Sequence, residues 1–66
     1  MHTERKILAN LAWRVYKARQ KMRNYGRLYL YSDKKFLYYE SLYEWVSLQN
    51  AFKAAKQIYF NNLPKD

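Results

Sequence analysis

His2 is the only histidine among the 66 residues and there is no cysteine. A zinc or transition-metal site needs several imidazole, thiolate or carboxylate groups converging on one point, and His2 has no second ligand at suitable spacing. The acids Asp33, Glu40 and Glu44 are better explained as a turn residue, a cross-strand partner and a helix-capping residue, and the serines lack a base. One glycine, Gly26, cannot build a phosphate-cradling loop. The sequence therefore reads as a non-enzymatic chain with no catalytic residue, no metal site and no cofactor.

Binding chemistry remains, and it comes in two kinds. Residues 1–27 hold eight of the thirteen Lys and Arg against Glu4 alone, a balance of +7, whereas the remainder carries five basic and four acidic residues, a balance of +1. A polyanion is the default partner for such a segment: nucleic acid, an anionic membrane surface or an acidic protein patch. Lys6, Arg14, Lys17 and Lys21, with Asn10 and Asn24, are expected to form a ridge roughly 25 Å long on a regular helix; the plain alternative is a solvated face that keeps the chain soluble. Trp13 projects about 140° from Leu8 at 100° per residue. It either packs beneath another element or offers a ring to a base or a partner's pocket.

The second kind is aromatic. "RLYLYSDKKFLYYE", residues 27–40, places four tyrosines, three leucines and a phenylalanine around a short polar break. Rings facing inward would be core; rings facing outward would be a binding surface.

These residues must be positioned by a small framework. Thr3 suits an N-cap, Glu4 favours the positive end of a helix dipole, and Gly26 suits a left-handed C-terminal cap, which places a first helix at about residues 4–25. Within it Leu8, Leu11, Val15, Ala18, Met22 and Tyr25 recur at spacings of three and four, one stripe turned toward a neighbour. Ser41 and Glu44 resemble a capping box and Pro64 a stop, which places a second helix at about 42–61 with a matching stripe of Trp45, Leu48, Phe52, Ala55 and Tyr59. Ala18 and Ala55 would let the two backbones approach closely.

Between them, residues 28–31 and 36–39 are rich in strand-favouring tyrosine and "SDKK" supplies turn formers, so residues 27–40 are expected to form a β-hairpin. The expected fold is α+β, in the order helix, β-hairpin, helix, as one domain over residues 1–66. The alternative is an all-α two-helix hairpin in which Ser32 caps a helix running from Asp33 through Asn61. With a four-residue loop, Tyr29, Tyr31, Phe36 and Tyr38 share one aromatic face while the leucines and Tyr39 share the other, and Arg27 faces Glu40.

Two function classes follow. In the first the chain is a small protein-interaction module, an inhibitor, adaptor or self-associating homodimer, whose Trp13, Tyr29, Tyr31, Phe36 and Tyr38 fill a partner's groove while the basic helix steers encounter with an acidic target. In the second it is a nucleic-acid-binding accessory protein with phosphate contacts from Lys6, Arg14, Lys17 and Lys21. A membrane-surface helix is a third reading. Because most of the charge lies away from the rings, the protein-interaction class is preferred. Compactness, basic charge and tyrosine content suit a phage or mobile-element accessory protein, although no motif identifies a family. No stretch reaches the length of a membrane span and no signal peptide is evident, so a cytoplasmic chain is expected. A chain this short buries only about 60% of its unfolded surface and can gain core by pairing.

Overall fold

The computed structural model describes residues 2–63, with side chains from Arg5 to Leu63. It is a helical hairpin: α1 spans His2–Tyr29, a short loop follows, and α2 spans Lys35–Asn61. The hairpin measures 55 × 15 × 14 Å. Among the described residues there is no strand. The all-α alternative thus replaces the helix, β-hairpin, helix order expected from the tyrosine-rich segment.

Gly26 explains the difference. Its φ is not positive, so it caps nothing, and α1 continues through it to Tyr29. A Cβ built there would lie 3.0 Å from Cε1 and 3.2 Å from Cδ1 of Tyr38, so the glycine serves a close approach: the Tyr38 ring comes up against the bare backbone of α1. Continuing the helix also brings Tyr29 one turn beyond Tyr25, where the two rings meet edge to face at 5.2 Å. An isolated two-stranded ribbon would leave two open edges and is marginal in water, whereas helices satisfy their backbone groups internally. The pairing of Tyr31 with Phe36, and of Arg27 with Glu40, therefore does not occur.

"SDKK" does hold the reversal. Ser32 Oγ donates to the Tyr29 carbonyl at 2.9 Å and accepts from the Lys34 N–H at 3.1 Å, closing the turn with one hydroxyl. Helix α2 begins earlier than the capping-box reading placed it. Its N-cap is Lys34, which makes no side-chain capping bond, and the Lys34 carbonyl takes the Leu37 N–H at 3.0 Å. Ser41 and Glu44 are not a capping box. Ser41 is buried mid-helix with its hydroxyl donated to the Tyr38 carbonyl at 2.7 Å, and Glu44 reaches across to Lys21 at 3.5 Å. Helix α1 already includes His2, so Thr3 lies within its first turn and is not its N-cap, and Glu4 follows in the same turn; the side chains of these residues, and Pro64, lie outside the described residues.

Both stripes meet along the seam. Leu8, Leu11, Val15, Met22 and Tyr25 are half-buried and Ala18 is buried; on α2, Trp45, Leu48, Phe52, Ala55 and Tyr59 are half-buried. The alternation of three and four averages 3.5 residues, the repeat of a left-handed coiled coil. The antiparallel register is set by Arg5 Nε donating to Tyr59 Oη at 3.1 Å, by Lys21 with Glu44, and by Gly26 under Tyr38. In this register Ala55 sits beside Leu8, lining the same depression, and Ala18 lies farther along, level with Val46. The two alanines do not face each other.

The core is thin. Among the described residues only Ala18 and Ser41, at 5% and 2% exposure, are buried, and both are small. Trp45 Nε1 is shielded from solvent without a hydrogen-bond partner, a donor whose desolvation is not offset.

Candidate functional site

With one face of each helix used in the seam, function must reside on what remains outside. Among the described residues eleven large apolar side chains are exposed, and their positions are not random. On α2, Phe36, Tyr39, Tyr43 and Val46 are spaced three, four and three residues apart, so they form a second stripe on the side of the helix away from the seam. Tyr43 is 77% exposed and Phe36 56%. No charged residue falls within the stripe. Tyr31, at 98% exposure, stands at the loop tip near the same end of the molecule.

On α1 the outward face is divided. Its first half carries Ala9, Ala12, Trp13 and Tyr16, which line a shallow apolar depression. The Trp13 and Tyr16 rings stack at 5.7 Å, the Lys17 ammonium sits 5.0 Å from the Trp13 ring, and Gln20 donates to Tyr16 Oη at 2.8 Å. Trp13 is therefore not packed beneath another element. The second half carries Gln20, Arg23, Asn24 and Arg27, which line a polar depression of their own.

The structure separates the expected site residues. Trp13, Tyr31 and Phe36 are exposed, but Trp13 belongs to α1 and Phe36 to α2, so no single aromatic platform contains them. Tyr29 and Tyr38 are half-buried, turned toward the seam. Lys6, Arg14 and Lys17 are exposed, whereas Lys21 is paired with Glu44 and lies at the edge of the seam rather than opposite it. Arg5 is held above its ordinary pKa by the hydrogen bond it donates to Tyr59 and the charge interaction with it, which only reinforces a group that is already cationic.

Tyr39, Tyr43 and Val46 were missed because an alternating strand pattern puts Tyr39 with the leucines and stops before Tyr43. The signal that would have found them is the helical spacing from Phe36 to Val46. Gln20, Arg23 and Arg27 stand outside the ridge expected from Lys6, Arg14, Lys17, Lys21, Asn10 and Asn24, although with Asn24 they too recur at three and four.

Among the described residues no three His, Asp or Glu side chains come together as a metal site, and no helix is long and apolar enough to cross a membrane. Comparison with protein families, with curated proteins and with solved structures finds no match, so the surfaces themselves carry the functional argument.

Proposed function

We propose that the chain is a small protein-interaction module that works through the outward stripe of α2, and that its partner is a second copy of itself. The observation that carries this reading is the uncharged run of Phe36, Tyr39, Tyr43 and Val46 facing away from the seam. A helix that is apolar on two sides is built to be covered on both.

Charge favours a second copy. The sequence balance of α1 is +7 and that of the residues after it about +1, within a net +8. Two copies meeting through α2 keep their basic helices on the outside, at the greatest separation the shape permits. Meeting through α1 would press like charges together. Area is consistent. At about 200 Å² for a fully exposed aromatic side chain, the stripe offers roughly 400 Å² of apolar surface per copy, or about 800 Å² per pair. Apolar atoms make up about 60% of an interface, so the whole contact would be roughly 1,300 Å², within the range of stable complexes.

The test is mass in solution across a wide range of concentration, by sedimentation equilibrium, for the wild type and for Tyr39→Ser with Tyr43→Ser. The wild type is expected to move from 8.2 kDa toward twice that mass as concentration rises, and the double variant to stay monomeric with its helix content intact. A monomeric wild type up to about 1 mM, or a variant that still pairs, overturns the reading.

A further inference from the structure

The polar half of the α1 outer face lies on the opposite helix from the apolar stripe of α2. From Arg5 to Tyr29 the sequence has eight basic residues and no acid. Of these only Lys21 has a carboxylate partner among the described residues. Gln20, Arg23, Asn24 and Arg27 stand at i, i+3, i+4 and i+7, one outward face, and together line a shallow groove.

The residue types match one ligand class closely. Arginine forms two parallel hydrogen bonds to the O6 and N7 of guanine, and asparagine or glutamine does the same to adenine N6 and N7. An α-helix with its side chains is about 10–12 Å across, which the roughly 12 Å width of the major groove of duplex DNA admits, and the four residues span about 10 Å along the helix, roughly three base pairs. Lys17 and Arg19, both exposed, emerge on either flank of this face, where the phosphates of the two strands would run. The partner helix α2 lies on the far side of α1, so nothing else in the described hairpin obstructs entry into a groove. We propose that this face of α1 binds duplex DNA, with Gln20, Arg23, Asn24 and Arg27 at base edges and Lys17 and Arg19 on the phosphates.

A lipid surface fits less well. Its hallmark is an apolar face bordered by lysines, and the apolar part of this face ends at Tyr16, one turn before Gln20 and two turns before Arg23.

The test is fluorescence anisotropy of the full chain with a labelled 24-base-pair duplex of mixed sequence, the same length of single strand, and vesicles containing a third anionic lipid, each at about 50 and 200 mM salt. Duplex binding is expected to be tighter than binding to single strand or vesicles and to weaken steeply with salt, as release of counterions from phosphates requires. Arg23→Gln with Arg27→Gln is expected to lose about a hundredfold in duplex affinity, near tenfold for each arginine. Lys53→Gln with Lys56→Gln removes the same net charge from α2 and is expected to change affinity less than threefold. Circular dichroism checks that both variants keep their helices. No duplex binding at 50 mM salt, an equal loss from the α2 pair, or preference for single strand or vesicles overturns the proposal. The arginine variant should retain the self-association of the wild type, and Tyr39→Ser with Tyr43→Ser should retain duplex binding, so failure of either reading is seen apart from the other.

Discussion

Replacing Gly26 by alanine tests the register of the hairpin through a single methyl group. Alanine is favoured over glycine in a helix interior by about 1 kcal/mol, and Gly26 lies inside α1 with ordinary helical φ, so local preference alone makes the substitution stabilising. The opposing effect is steric. The new Cβ would stand 3.0 Å and 3.2 Å from two carbons of the Tyr38 ring, several tenths of an ångström inside comfortable contact. Overpacking of this kind costs typically 1–3 kcal/mol where the neighbour cannot yield, and a half-buried ring yields in part. The two effects are expected to cancel to within about 0.5 kcal/mol in the wild-type background. In a Tyr38→Ala background the obstacle is gone, and Gly26→Ala should stabilise by the full amount of about 1 kcal/mol. The measurement is urea unfolding followed by circular dichroism, with trimethylamine N-oxide added to all four proteins of the cycle so that the weakest keeps a folded baseline. A gain of about 1 kcal/mol in both backgrounds would show that Tyr38 does not lie on Gly26 and that the helices meet in another register.

Trp45→Phe removes the shielded indole N–H that finds no partner; the relief of desolvation offsets much of the lost apolar area, and the change is expected to cost less than about 1 kcal/mol, whereas Trp45→Ala should cost about 2–3 kcal/mol because the ring is half-buried. Thermal unfolding of both variants checks this, and equal losses would show that the ring nitrogen is satisfied. If folding and pairing are linked, the urea midpoint of the wild type should rise with protein concentration, each tenfold increase adding about 1.4 kcal/mol to the stability of a pair. Tyr39→Ser with Tyr43→Ser should show no such rise, and a wild-type midpoint that is constant over a hundredfold range would refute the linkage.

The two stripes were legible because period alone defines them. Every residue from Leu8 to Tyr25 in the first, and from Trp45 to Tyr59 in the second, lies in the seam. The polar break at Ser32 to Lys35 was also legible as a reversal, since its residues favour turns whichever elements they join. What was not legible is the state of the segments on either side. Short apolar runs of four residues carry no decisive period, and tyrosine's preference for strands is weak enough for packing to override. The packing that decided it is the fit of Tyr38 on Gly26, twelve positions away in sequence and outside any local window. The same misjudgement hid the candidate surface. Read as strands, Tyr29 and Tyr38 share an exposed face with Tyr31 and Phe36. Read as helices, the first two turn into the seam, and Phe36 joins Tyr39, Tyr43 and Val46 instead.

The distribution of residue sizes gives that surface its meaning. The residues shielded most completely, Ala18 and Ser41, are small, and Gly26 makes room for the Tyr38 ring, so the seam encloses no large side chain completely. Tyr39, Tyr43 and Phe36 are kept outside, where their exposed area contributes nothing to folding of one copy. The two helices then differ in how they treat their outer faces. On helix α1 the Lys17 ammonium stands 5.0 Å from the exposed Trp13 ring, so a charge borders the apolar half of its outer face. The α2 stripe has no charge within it. Burial of roughly 400 Å² of apolar surface on each copy at about 25 cal/mol per Å² is of order 10 kcal/mol per copy, against which association must set lost translational freedom and ordered side chains of comparable size. A surface with that balance makes reversible pairs, and a chain with so thin a core gains most from such pairing where its own concentration is high.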